Sequence, residues 1–369
     1  MTRPKGAIPL AVVAAGGTGG HMFPAEALAR ELTARGWRVV LATDARGAAY
    51  AEHFPAEMRI ALEAATFKRG DLIGGLFAGL KILRGIGQAR TAFYRIRPSV
   101  VIGFGGYPSY PAVMAARSMN LPCILHEQNA VLGRSNRALA DKVGALVCGF
   151  PILERVPPRH QHKVEPLGNP VRPAIRALYD QAYPTPDGTL TLLITGGSQG
   201  ARLLSETVPV AIAALPDPLK ARLRVMQQTR EESLDFARET YAKAGISAEV
   251  APFFSDMAER LAAAHLVIGR AGASTCSELA MAGRPAILIP LKIAADDHQS
   301  VNARVLVEAG AADSLSEDEL TAETLTRLLE TRLSAPLDLQ ARAAAAKSVA
   351  QPMATRDLAD LVQTCVASA

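Results

Sequence analysis

The sequence predicts an α/β protein of two halves, each a parallel sheet with helices on both faces, and two observations carry that prediction. Short β-branched runs alternate with longer amphipathic stretches along the chain, the pattern of strand–helix–strand units whose strands are buried on both sides. The second observation is an internal echo. Gly16-Gly17-Thr18-Gly19-Gly20 and Gly196-Gly197-Ser198-Gln199-Gly200 each follow the first strand of a series and share the order Gly, Gly, hydroxyl residue, any residue, Gly. Glycines at such points let the chain leave a strand, turn sharply and enter a helix whose free backbone N–H groups face the loop. Two nucleotide-fold halves facing each other across a cleft form the simplest architecture that accounts for both.

Taken in order, the first series of strands is expected at Leu10 to Ala15, Arg38 to Thr43, Val100 to Gly103, Cys123 to Leu125, Ala145 to Cys148 and Val164 to Leu167. The first helix is well signalled, with Pro24 near its first turn, apolar Ala27, Leu28 and Leu32, and Gly36 as its stop. Pro157 to Pro186, rich in proline and turn residues, is a plausible boundary. A second series follows at Thr189 to Thr195, Leu223 to Gln227, Ala248 to Phe253, Leu266 to Gly269 and Ala286 to Ile289, with helices such as Glu231 to Ala244 and Gln299 to Ala309.

Composition narrows the functional classes. At 369 residues and 49% apolar content the chain builds two or three cored domains. The longest nearly apolar stretches, Leu72 to Ile86 and Val100 to Ala116, are too short to span a bilayer, and Met1 to Pro9 lacks the apolar core and cleavage site of an export signal, so a cytosolic protein is expected. Four scattered cysteines (Cys123, Cys148, Cys276, Cys365) and one close histidine pair, His160 and His162 in a Pro-rich stretch, give no disulfide framework and no metal site. The net charge of +5 favours anionic partners. It is concentrated: from Phe67 to Arg97 seven basic residues (Lys68, Arg69, Lys81, Arg84, Arg90, Arg95, Arg97) face one acid, Asp71. In the same stretch Ile73, Leu76, Phe77, Leu80 and Leu83 recur at helical spacing, giving either a stripe packed on the sheet or an interfacial helix that docks on an anionic membrane surface. Aromatic residues make up only 5% and no aromatic-interleaved basic run is present, so nucleic acid is not an expected partner.

The glycine loops define what the chain can bind. Neither is followed by Gly-Lys-Ser or Gly-Lys-Thr, so the lysine of a P-loop is missing. A dinucleotide fingerprint has Gly17, Gly19 and an acid, Asp44, at the end of the second strand, but its third glycine position holds Met22. Two more glycine turns follow strands, Gly103-Phe104-Gly105-Gly106-Tyr107-Pro108-Ser109 and Arg270-Ala271-Gly272-Ala273-Ser274. All four loops are expected at the carboxyl ends of strands, where open parallel sheets bind ligands. Gly196 to Gly200 can receive a diphosphate on helix N–H groups without a metal. Glu278, three residues after Thr275, reads either as a helix cap or as a carboxylate for the two hydroxyls of a ribose. His21 reads as a capping histidine or as a base kept neutral at the positive end of a helix. His126-Glu127-Gln128-Asn129, polar residues after a buried strand, read as solvated loop or as site.

Seven motifs resemble, in order and along nearly the whole chain, the cytoplasmic N-acetylglucosaminyltransferases called MurG, which complete the lipid-linked disaccharide-pentapeptide precursor of bacterial peptidoglycan. They are Gly16 to Pro24, Gly105 to Ser109, His126 to Asn129, Gly168-Asn169-Pro170-Val171-Arg172, Gly196 to Ala201, Arg270 to Thr275, and Asp296-Asp297-His298-Gln299 ahead of Asn302-Ala303. One departure is Lys292, where the family usually has a second proline after Pro290. The resemblance implies a GT-B fold of two Rossmann-like domains. An acceptor and membrane-docking domain would cover 1–171 with 352–369, reached by a last helix that crosses back, and a UDP-GlcNAc domain would cover 172–351. It places Ser198 at the donor diphosphate with Arg172 nearby, the Phe254 backbone on uracil and Glu278 on the ribose. Gln299 and Ala273, Ser274, Thr275, Cys276 and Ser277 would surround the nucleotide and sugar, with Thr18, Gly19, Gly20 and Asn129 reaching from the first domain. The acceptor, undecaprenyl-pyrophosphoryl-N-acetylmuramyl-pentapeptide, would lie at Gly105, Gly106, Tyr107 and His126.

The implied reaction is an inverting transfer without metal or cofactor: the acceptor 4-hydroxyl attacks the anomeric carbon, with His21 as base and Glu127 or His126 in reserve. The enzyme would work peripherally at the cytoplasmic face of the plasma membrane. The alternatives are a related GT-B transferase with another lipid acceptor, such as a diacylglycerol galactosyltransferase, and a dinucleotide-sensing or RNA-associated binding module that uses Asp44.

Overall fold

The computed structural model describes residues 8–17, 19–48, 52–65, 72–197 and 200–368, and the side chains of 72, 73, 75, 76 and 295 also lie outside the description. The chain divides into two compact units, Met1–Arg172 with Met353–Ala369, and Pro173–Pro352.

The first unit runs β1 (Leu10–Ala14), α1 (Gly19–Ala34), β2 (Arg38–Thr43), α2 (Ala45–Ala48), β3 (Met58–Ala61), α3 (Leu72–Ile96), β4 (Val100–Gly103), α4 (Ser109–Ser118), β5 (Cys123–Glu127), α5 (Arg134–Leu139), β6 (Ala145–Cys148) and β7 (Val164–Glu165). Its sheet is parallel, in the order β3-β2-β1-β4-β5-β6-β7. Alternation along β1 builds two cores: Leu10, Val12 and Ala14 pack with Phe93, Ala112 and Val113, while Ala11 and Val13 pack with Leu28 and Leu32.

The second unit runs α6 (Pro173–Arg176), β8 (Leu190–Thr195), α7 (Arg202–Ala213), α8 (Asp217–Lys220), β9 (Leu223–Gln228), α9 (Leu234–Lys243), β10 (Ser247–Ala251), α10 (Met257–Ala263), β11 (Leu266–Gly269), α11 (Ala273–Ala282), β12 (Ala286–Leu288), α12 (His298–Glu308), β13 (Ala312–Ser314), α13 (Ala322–Leu333) and α14 (Pro336–Ser348). It too is parallel, β10-β9-β8-β11-β12-β13. The last helix, α15 (Ala354–Ala367), returns to the first unit, where Leu358 and Val362 join the α1 side of the core and Arg35 reaches Asp360 at 2.5 Å and Gln363 at 2.8 Å.

Each sheet reverses its strand order once, between β1 and β4 in the first unit and between β8 and β11 in the second. The four glycine turns follow these four strands, which is where an open parallel sheet leaves a crevice.

Three expectations need correction. The edge strands β3 and β13, four and three residues long, escape the sequence pattern because each is short and has one buried residue, Ile60 in β3 and Ala312 in β13. The strand ending at Ala145 to Cys148 has a longer partner than expected. β5 continues through His126 and Glu127, paired to Val147 and Cys148, so these two polar residues belong to the strand and not to the loop after it.

Candidate functional site

In the first unit the turns after β1 and β4 press on one another. Gly105 and Gly106 have φ of +78° and +71°, and a Cβ on Gly106 would stand 2.6 Å from the Gly16 carbonyl oxygen, so only glycine fits. The buried Ser109 hydroxyl lies 2.6 Å from the Gly105 carbonyl and 2.8 Å from that of Ala14, tying the second turn to the end of β1. His21 sits half-buried in the first turn of α1 with its ring against Gly105, where a Cβ would meet Cδ2 at 2.9 Å and Nε2 at 3.1 Å. Gly19 and Gly20 open the same helix, and Thr18 lies outside the described residues. Tyr107 carries the Arg46 guanidinium 4.8 Å above its ring.

Glu127 holds the loop that follows β5. Oε1 accepts from the Asn129 backbone N–H and side-chain amide, both at 3.1 Å, and Oε2 accepts from the Gly133 N–H and the Asn136 amide, both at 2.9 Å. A carboxylate offers about four lone-pair sites, and here four N–H donors take them. Glu127 is therefore the frame of this loop, and its reading as a reserve base gives way. His126 is corrected for a different reason. It is fully buried and stacked on Phe104, with ring centroids 5.1 Å apart. Its Nε2 lies 3.0 Å from the Gly168 carbonyl and its Nδ1 3.0 Å from the Gln128 amide nitrogen. A carbonyl only accepts and an amide nitrogen only donates, so Nε2 carries the proton and Nδ1 accepts. Burial pushes its pKa down to about 4, against the raising effect of the Gly168 bond. With both nitrogens engaged in the core, His126 is structural.

Asn136, on α5, carries no signal in the sequence. Its role follows only from the fold, which brings it to Glu127 and near Gly105. Arg172 falls in the first unit, its guanidinium 5.1 Å above the Phe23 ring.

In the second unit the turn after β8 is anchored by Thr195, whose buried hydroxyl donates to Gln228 Oε1 at 2.9 Å and accepts the Gly197 N–H at 3.2 Å. A Cβ on Gly196 would lie 2.3 Å from the Ala201 nitrogen. Ser198 and Gln199 lie outside the described residues. After β11, Arg270 reaches the Ile289 carbonyl at 3.0 Å and pairs with Glu317 at 2.5 Å. Helix α11 begins at Ala273 with Gly272 as its N-cap, so Glu278 stands in the second turn and the capping reading fails. Ser274, Thr275, Ser277 and Glu278 are half-buried, whereas Ala273 and Cys276 are buried. The Cys276 side chain is buried in the core, and that burial pushes its thiol up to about 12. Gln299, at the start of α12, accepts the Leu291 N–H at 3.0 Å and fixes the turn after β12, and Lys292 pairs with Asp318 at 2.7 Å. Phe254 is buried under the Arg260 guanidinium, 3.6 Å above its ring. Among the described residues no group of three histidines, cysteines or acids is placed to hold a metal ion.

Comparison with known proteins bears on both units. The glycosyltransferase family 28 N-terminal domain matches residues 11–146 and the family 28 C-terminal domain residues 191–362. The chain is 58% identical over 354 residues, 96% of its length and 98% of the relative's, to the UDP-N-acetylglucosamine--N-acetylmuramyl-(pentapeptide) pyrophosphoryl-undecaprenol N-acetylglucosamine transferase of Caulobacter vibrioides. It is 56% identical, covering 96% and 97%, to the protein of the same name from Phenylobacterium zucineum. The crystal structure of Acinetobacter baumannii MurG is similar with a TM-score of 0.78 at 32% identity, covering 97% of this chain and 100% of that one.

Proposed function

The chain belongs to glycosyltransferase family 28, and from that premise we propose how it works. It is an N-acetylglucosaminyltransferase that moves GlcNAc from UDP-GlcNAc to undecaprenyl-pyrophosphoryl-N-acetylmuramyl-pentapeptide in peptidoglycan synthesis. The observation that carries this is identity of 58% over 96% of the chain to a transferase so named.

The acceptor lies on the first unit, at Gly105, Gly106 and Tyr107. Its 4-hydroxyl gives its proton to His21 as the oxygen attacks the anomeric carbon from the face opposite UDP. His21 suits that task by its place in the first turn of α1, with its ring against Gly105 of the acceptor loop. Glu127 fixes Asn129 through both its backbone N–H and its side-chain amide.

The donor lies on the second unit. The leaving diphosphate goes to the glycine turn ahead of α7, with Ser198, where helix N–H groups and the helix dipole meet the developing charge. Glu278 accepts the ribose hydroxyls, supported by its half-buried place on the same face of α11 as Ser274, Thr275 and Ser277. Gln299 and the backbone at Phe254 complete the nucleotide site.

The protein binds peripherally to the cytoplasmic face of the plasma membrane through α3. Phe77, Leu80 and Leu83 are exposed on that helix beside exposed Lys81, Arg84 and Arg90, while Ala78, Ala89 and Phe93 are buried. A stripe that packed on the sheet would have been buried. Ile73 and Leu76 lie outside the described side chains, as do Phe67, Lys68, Arg69 and Asp71. At the far end of α3 a groove of 660 Å³ is lined by Arg90, Tyr94, Arg95, Arg97 and Met119, extending the basic face. No helix among the described residues is long and apolar enough to cross a membrane.

The test is transfer of labelled GlcNAc from UDP-GlcNAc to the lipid-linked muramyl-pentapeptide by purified protein. Transfer from UDP-galactose to diacylglycerol, with none to the muramyl lipid, would establish the related lipid glycosyltransferase instead.

A further inference from the structure

The acid at the end of β2, which a dinucleotide site would aim at a ribose, is spent inside the first unit. Asp44 Oδ1 accepts the Gly47 N–H at 2.9 Å, and Oδ2 faces Arg46. That pairing is loose. Arg46 Nε and Nη2 stand 3.4 and 3.2 Å from Oδ2, whereas Arg38 grips Glu57 at 2.8 and 2.6 Å. A charge-assisted bond is normally about 2.7 to 2.9 Å. The Arg46 side chain keeps 59% of its surface exposed, against 12% for Asp44. Its guanidinium carbon lies over the Tyr107 ring, 4.8 Å from the centroid, a cation–π contact that leaves the five N–H donors of the group to oxygen acceptors.

Three loops converge on this cation. A Cβ on Gly47 would stand 2.1 Å from Thr43 Oγ1 and 2.8 Å from Gly16 Cα, so α2 is pressed onto the first glycine turn. Gly16 in turn touches Gly106, the residue before Tyr107. Gly17, Gly105 and Gly106 all have positive φ, so both turns make bends that favour glycine. The buried Thr43 hydroxyl has no hydrogen-bond partner at this junction.

We propose that Arg46 holds the diphosphate of the acceptor, exchanging its loose contact with Asp44 for phosphate oxygens when the acceptor binds. The proposal rests on the placement of the acceptor beside Tyr107. A diphosphate brings more charge than one carboxylate and presents paired oxygens to the guanidinium fork. Asp44 keeps its Gly47 N–H when the arginine leaves, which offsets part of the cost of uncovering a carboxylate whose side chain is 12% exposed.

The experiment is steady-state kinetics on the full chain with both substrates varied, for Arg46→Gln, Arg46→Lys, Asp44→Asn and Tyr107→Ala. Arg46→Gln raises the acceptor KM at least tenfold, with the UDP-GlcNAc KM within twofold and the melting temperature unchanged. Arg46→Lys is intermediate, because it keeps the charge and loses the fork. Asp44→Asn still caps Gly47 through its amide oxygen, frees Arg46 and lowers the acceptor KM. An unchanged acceptor KM in Arg46→Gln, an equal rise in both KM values, or the same loss in Asp44→Asn as in Arg46→Gln overturns the proposal. If Tyr107→Ala raises the acceptor KM and Arg46→Gln does not, the Arg46 assignment falls alone. If neither variant moves it, the acceptor placement falls too.

Discussion

Replacing Glu127 with glutamine separates a scaffold from a base. Glutamine keeps one acceptor oxygen and puts an NH2 group in place of the other. Whichever way the amide turns, that NH2 faces two N–H donors, either the pair from Asn129 or the pair from Gly133 and Asn136. Two charge-assisted bonds are lost and two donors are left facing a donor. Glu127 is 5% exposed and Asn136 3%, while Asn129 and Gly133 are half-buried, so water replaces the missing partners only in part. At about 1.5 to 3 kcal/mol for each hydrogen bond to a charged group, the loss is about 3 to 6 kcal/mol. For a unit of this size each kcal/mol moves the melting temperature by roughly 2 to 4 °C, which gives a fall on the order of 10 °C. Thermal unfolding by circular dichroism reads the shift, and initial rates well below the melting point read the chemistry. The expected result is a large drop in Tm with most of kcat retained at low temperature. An unchanged Tm with kcat down by about two decades or more would show a catalytic base, and the scaffold argument would be wrong.

His21→Ala lowers kcat by about two to four decades and leaves UDP affinity by calorimetry nearly unchanged; a variant that keeps most of its turnover at saturating substrates moves the base elsewhere. Glu278→Gln weakens UDP binding by roughly 10- to 100-fold, from a lost bond of about 1.5 to 3 kcal/mol, without a change in Tm; a lower Tm with unchanged UDP affinity would return Glu278 to a structural role. Phe77→Ser combined with Arg84→Glu abolishes sedimentation with anionic vesicles while activity on a short-chain soluble acceptor survives, since each cation near such a surface adds about 1 kcal/mol that salt screens; equal vesicle binding by variant and parent would place the docking surface elsewhere. His126 is held neutral by burial, its pKa lowered from 6.5 to about 4. The unfolded chain therefore binds the proton first, and stability present above pH 6.5 is lost as pH falls toward 4, by about 3 kcal/mol. Urea unfolding of His126→Gln should show a shallower loss over that window, and an identical slope in variant and parent would contradict the assignment.

The sequence alone determined whatever depends on short-range pattern. Continuous apolar runs such as Leu10 to Ala14 specify strands buried on both faces, and the glycines at Gly16, Gly105 and Gly106 stand where a Cβ would strike backbone or a neighbouring ring. The motifs that mark the family are local strings, and the order of those strings was enough to identify the transferase reaction. What a polar residue does is a different matter, because that depends on its partners. His126 and Glu127 look alike in the sequence, yet pairing with β6 carries both inside the sheet. There one is desolvated against Phe104 and the other is surrounded by four N–H groups. Thr275 and Glu278 have capping-box spacing, but the helix begins two residues before Thr275, at Ala273, so the spacing has no cap to form. Cys276 shares a string with Ser274 and Ser277, and the 100° turn per residue sends it into the core. The short edge strands β3 and β13 owe their existence to the neighbour each completes, β2 and β12. Asn136 and Arg46 reach their places only when chain segments distant in sequence come together. Backbone geometry is set by near neighbours and can be read along the chain, whereas desolvation and hydrogen-bond satisfaction are sums over contacts that only the folded arrangement supplies.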